Sequence, residues 1–190
     1  MAEATARPLR ADARRNREAI LRAARATFAA DGIFASTDGI AAAAGVGNAT
    51  LYRNFPTRED LLAAVIDDNV LEVLARADEL ERELPAADAL QEWLFQLAWQ
   101  LRTWHDLPTG IASALGREDS PVQDVCTQLT ERTHQLLERA REEGVAGPVT
   151  ATTLFELVTA TSWAVDRFGD DEPRARDRVT LATAGVFSPA

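Results

Sequence analysis

A chain of 190 residues can bury one compact core or two small ones, and 46% hydrophobic but only 6% aromatic residues describe an Ala- and Leu-rich helical protein. The single cysteine, Cys126, excludes a disulfide framework, no apolar stretch reaches the ~20 residues needed to cross a bilayer, and the polar, Arg-rich start lacks a secretion signal's apolar core. The expected location is the cytoplasm. A net charge of −10 argues at first against a polyanionic partner, but its distribution reverses that. Up to Arg58 nine Arg face five acids, a balance of +4, whereas beyond it eleven Arg face twenty-five acids, −14. A basic head on an acidic body suits a protein that offers only its head to a polyanion. Every cation is an Arg, whose planar fork matches phosphate.

Residues 1–11, with Ala, Arg and Glu around Pro8, are expected to form a flexible arm. Arg7 and Arg10 could reach a groove from there or merely solubilise the tail. From about Asp12 to Ala30, Ile20, Ala23, Ala24 and Phe28 recur at helical spacing, and Asp31-Gly32 ends this first helix. The stretch from Thr37 to Arg58 then describes two short helices meeting across a Gly45-Val46-Gly47 corner. Leu51 and Phe55, four apart, share the inward face of the second, so Asn48, Ala49, Tyr52 and Arg53 point elsewhere. This is the pattern of a helix-turn-helix.

Over residues 14–66 the chain resembles the TetR family of transcriptional regulators, through Ile40-Ala41, Ala44-Gly45-Val46, Thr50-Leu51-Tyr52, Phe55-Pro56 and Arg58-Glu59. The resemblance implies a double-stranded DNA operator as partner. It sets Tyr52, Thr50 and Arg53 against phosphates or base edges, Thr37 against a phosphate at the start of the first short helix, and Arg58 against another; Ala49 shares their surface. Each has a structural alternative. Thr37 could cap its helix, and Thr57 with Asp60 reads as a capping box. Asn48 can bond adenine at two points or serve as the N-cap after Gly47. Where the family commonly has Ser and Lys or another polar residue, Gly47 and Asn48 stand here, which bears on the site sequence read.

From Thr57 to Leu84 apolar residues recur without a breaker, predicting a helix about 40 Å long that belongs to the head at one end and the body at the other. A fifth helix is expected from about Ala87 to His105, carrying Trp93, Trp99 and Trp104, and a short one from Thr109 to Leu115. Ser120-Pro121 opens a seventh that runs to Glu143, an eighth spans Thr150 to Phe168, and a ninth ends near Gly185. The fold class is therefore all-α with about nine helices: a three-helix DNA-binding head (12–60), then an effector-binding and dimerisation body (61–190).

The last two helices are more apolar than one inward stripe requires. In the family such a pair forms a four-helix bundle with its copy, implying a homodimer on a roughly palindromic operator; closure of a monomeric core is the alternative. The family also places a small-molecule effector among the middle helices of the body. Phe95, Trp99, Trp104 and His105 are candidate lining, with ordinary core packing as the competing role. Cys126 reads as a small buried hydrophobe before a redox sensor. Two histidines on different helices, without HExxH, CxxC or a Gly-rich phosphate loop, indicate neither enzyme, metal nor cofactor. The sequence reading is a ligand-responsive regulator, more readily a repressor than an activator. The alternative is a helical ligand carrier or scaffold whose helix-turn-helix is vestigial.

Overall fold

The computed structural model describes residues 3–187, with side chains described from residue 12. Nine α-helices and a closing 3-10 turn account for its regular structure among those residues: α1 (Glu3–Asp31), α2 (Thr37–Ala43), α3 (Asn48–Asn54), α4 (Arg58–Glu83), α5 (Ala86–Leu101), α6 (Leu107–Ala114), α7 (Pro121–Glu142), α8 (Ala151–Phe168), α9 (Glu172–Thr183) and the turn Ala184–Phe187.

Most boundaries follow from local chemistry. The predicted capping box is present, Asp60 N donating to Thr57 Oγ1 at 3.0 Å and Thr57 N to Asp60 Oδ2 at 2.8 Å. Gly45, at φ +70°, closes α2 in a Schellman motif, with Val46 N on Ala41 O and Gly45 N on Ala42 O, both at 3.0 Å. The backbone of residues 3–11 is drawn into α1, which starts at Glu3; residues 1–2, and the side chains of Arg7 and Arg10, lie outside the description. One expectation is corrected. The fifth helix stops at Leu101, before His105: residues 102–106 form turns and bends that lead into α6, ending in Asp106 at φ +66°.

In the head, α1 packs on α2, α3 and α4, with Ile20, Ala24, Phe28, Ile40, Leu51 and Phe55 buried between them. In the body α5 is central, touching α4, α7, α8 and α9. A helix with neighbours around most of its surface must be apolar over most of it, which accounts for the burial of Trp93, Leu94, Phe95, Leu97 and Ala98, while Gln96 and Gln100 keep one side polar. The polar tip of Trp93 is satisfied by Thr133 Oγ1 at 2.9 Å. Head and body share one continuous core, and α4 joins them, lying against α1 at one end and α5 and α7 further on.

A second joint is made by the α1–α2 loop. Ile33 N donates to His105 O at 3.1 Å, and the Phe28 ring meets the edge of Trp104 with centroids 6.2 Å apart. Gly110 on α6 lies so close to Ile33 that an added Cβ would sit 2.4 Å from Ile33 Cδ1. Glu59 at the start of α4 accepts from Arg117 at 2.8 Å and from Ser120 Oγ at 2.9 Å.

Candidate nucleic-acid interface

Helix α3 has only seven residues and exists because Leu51 and Phe55 anchor it in the head core. Its other face is exposed, and there Asn48, Ala49, Tyr52 and Arg53 lie side by side, with Thr50 half-buried at their edge. Tyr52 is 45% exposed, and its hydroxyl lies 3.1 Å from that of Thr37 at the start of α2. Arg53 Nη2 donates to Thr50 Oγ1 at 3.0 Å. Six of the seven sequence candidates therefore meet on one surface built from α3 and the start of α2.

The caps settle two open roles. Ser36 caps α2, accepting from Gly39 N at 3.4 Å, so the Thr37 hydroxyl is left for Tyr52. Gly47 occupies the N-cap of α3 without a side chain, and Asn48 follows as the first helical residue. Its Nδ2 donates to Asp38 Oδ1 at 2.8 Å. Asp38 is the residue that sequence reasoning missed: it counted only as one acid in the charge balance, and no spacing rule links it to Asn48 across the turn.

Arg58, the seventh candidate, points elsewhere. Its Nη1 donates to Ile33 O at 2.9 Å and Ala35 O at 2.6 Å, so the guanidinium braces the α1–α2 loop from within. Several other head cations are also occupied. Arg25 pairs with Asp68, Arg15 with Asp12 and Arg14 with Glu18, while Arg17 lies over the Phe55 ring at 4.6 Å. Exposed pairs of this kind are weak enough to yield to a phosphate.

The expected effector residues do not share a cavity. Phe95 is buried and stacks on Trp99 at 5.9 Å, with Arg176 over the one ring and Arg102 over the other. Trp104 is buried in the head–body joint, and His105, 63% exposed, places Nδ1 3.0 Å from Asp166 Oδ2. Phe95 and Trp99 belong to the packing of the central helix α5, while Trp104 and His105 lie in the turn that follows it and serve the joint with the head. Openings lie instead along α6, α7 and α8. A groove of about 920 Å3 is lined by Thr127, Glu131, His134 and Phe155, and a neighbouring one of about 540 Å3 by Pro108, Thr109, Thr159 and Trp163. Leu115 and Glu156 border both. Cys126 is buried in α7, and burial pushes its thiol up to about 12, so it stays protonated at neutral pH. Among the described residues no helix is long and apolar enough to cross a membrane.

A glycine-cornered helix pair with its polar face outward, carried on a helical body, defines a helix-turn-helix DNA-binding regulator of transcription. Residues 20–65 match the sequence profile of the bacterial regulatory proteins of the tetR family, and residues 85–187 match the C-terminal domain of SbtR-like transcriptional regulators. The chain belongs to the TetR family. Among solved structures it is similar to the TetR regulator SCO0520 of Streptomyces coelicolor, with 27% identity over 92% of this chain and 99% of that one and a TM-score of 0.59. A tetR-family regulatory protein of Rhodococcus RHA1 shares the fold at 22% identity, 92% and 98% coverage and TM-score 0.64. RolR, solved with its ligand resorcinol, does so at 21%, 92% and 89%, and 0.63. No curated protein sequence matches.

Proposed function

We infer that this regulator is a homodimeric repressor whose two heads (12–60) bind a roughly palindromic operator and are released when a small molecule enters the body (61–190). The observation that carries the reading is the meeting of Thr37, Asn48, Ala49, Thr50, Tyr52 and Arg53 on one exposed face. Core packing has no use for that set of hydroxyl, amide and guanidinium groups, whereas phosphates and base edges do. For the dimer, the support is apolar surface on the last two helices: Leu157 and Phe168 on α8 and Leu181 on α9 are exposed, Leu181 by 79%.

The effector site is the pair of grooves along α6–α8. The resorcinol complex of RolR supports a small-molecule effector, and Glu131 and Glu156 on the groove walls, where Arg141 is tied to Glu138, favour a neutral or cationic one. Coupling runs through α6, where Pro108 and Thr109 line a groove while Gly110 meets Ile33 of the head loop. A ligand that moves α6 moves the head, and the long α4 sets how far apart the two heads sit. The effector shifts DNA affinity by its differential affinity for the two arrangements, typically ~1–3 kcal/mol.

The test is selection of bound duplexes from a random DNA pool at near-physiological salt. An enriched inverted repeat, lost in a Tyr52→Ala/Arg53→Ala protein, is the expected result. Enrichment of no sequence by the ligand-free wild type would overturn the reading in favour of a carrier or scaffold.

A further inference from the structure

Asn48 is the one side chain on the outward face of α3 whose amide can pair with a base at two points, yet an amide alone reads ambiguously. Turned through 180° it has the same shape with oxygen and nitrogen exchanged. Adenine offers an acceptor, N7, beside a donor, N6, and matches only one of the two orientations. In this protein the nitrogen end is identified by its contact, because Asn48 Nδ2 lies 2.8 Å from Asp38 Oδ1. An ionised carboxylate only accepts. It welcomes the amide nitrogen and repels the amide oxygen, so it holds one orientation and excludes the other. The Nδ2 group keeps a second hydrogen, and that hydrogen with Oδ1 is what remains for a base. Gly47, by capping α3 without a side chain, leaves Asn48 free of capping duty.

We propose that Asp38 is a positioning residue for base recognition: it touches no base, but by fixing the Asn48 amide it sets the donor–acceptor order that α3 presents to DNA. The inference rests on the DNA-reading function argued above. It also explains a feature otherwise adverse to binding, a carboxylate at the edge of a surface that must approach phosphates. The charge lowers affinity for every sequence alike and raises discrimination at one base pair.

The two effects have opposite signs, which makes them separable. Asp38→Asn keeps the shape but replaces an acceptor-only group with one that tolerates either amide orientation and carries no charge. In the full-length protein, with the selected operator and its single-base variants at fixed salt, this variant should bind random duplex a few-fold more tightly. Discrimination at the base pair read by Asn48 should fall on the order of tenfold. In an Asn48→Ala background Asp38→Asn should still tighten random binding yet change no base preference. Asp38→Asn that keeps full discrimination overturns the proposal. So does an equal loss of discrimination in the Asn48→Ala background, which would mean that Asp38 shapes the head and not the amide. A wild-type protein that enriches no sequence defeats the underlying DNA-reading function instead, so the two failures are distinguishable.

Discussion

Arg53 and Arg58 are five residues apart and carry the same charge, but their surroundings give them different work. Arg53 stands on the exposed face with only the Thr50 hydroxyl for company, whereas Arg58 is half-buried on two backbone carbonyls. Arg53→Ala is expected to weaken binding to all sequences and to flatten the salt dependence by about one unit in the log–log slope. Arg58→Ala should leave that slope unchanged and lower stability by about 1–3 kcal/mol, because it strands Ile33 O and Ala35 O in a partly buried loop. Salt-titrated binding beside urea unfolding of both variants decides this; a reduced salt slope in Arg58→Ala would restore it to the DNA surface. The sequence placed both residues at the right helix ends. It could not show where Arg58 turns, since its partners lie more than twenty residues away and are main-chain atoms that no residue type announces.

At the scale of elements, periodicity and caps carried most of the information. The corner at Gly45, the Thr57–Asp60 box and the stop at Gly32 each have a local chemical cause, and those elements were legible. The proposed effector site was not. Trp93 and Trp99 on one helix, with Trp104 just beyond it, satisfy a pocket wall and a core equally well, and only the packing of α5 among four neighbours makes Trp93 and Phe95 core. The grooves are lined largely by Thr, Glu and Ala, which from sequence look like ordinary exposed helix. In the proposed mechanism the signal passes through α6, because one side borders a groove and the other the head. Gly110→Ala puts a methyl group against Ile33, and since Ile33 is itself buried its Cδ1 cannot retreat into solvent. The expected outcome is a loss of about 1–3 kcal/mol in stability and weaker operator binding with an unaltered salt slope. Operator binding that is unchanged while stability falls would detach α6 from the signal.

For the whole molecule, the charge asymmetry and the exposed apolar residues of α8 and α9 act together. In the proposed dimer an acidic body repels DNA, so useful binding requires two heads to be presented at once, at a separation set by the long α4 and the body's pairing. Leu181→Glu adds a charge at a position 79% exposed in the single chain, where it costs the monomer little. It should convert the dimer to monomers in sedimentation, leave the helical circular dichroism intact and reduce operator affinity by at least a hundredfold, as expected when the second head no longer binds as part of the same molecule. A variant that stays dimeric would move the interface off this part of α9.

The joint between head and body has a consequence for how this protein can change over generations. What the α1–α2 loop contributes to its polar contacts is main-chain atoms: Ile33 N on His105 O, and the carbonyls of Ile33 and Ala35 under Arg58. Phe34, within that loop, is exposed, and Ala35 offers the joint its carbonyl. Their side chains can therefore drift, while the length of the loop cannot, since one inserted or deleted residue would take both carbonyls out of register with the guanidinium. Substitution of Phe34 or Ala35 is expected to be silent and insertion beside them disabling, the reverse of what is usual for a surface loop.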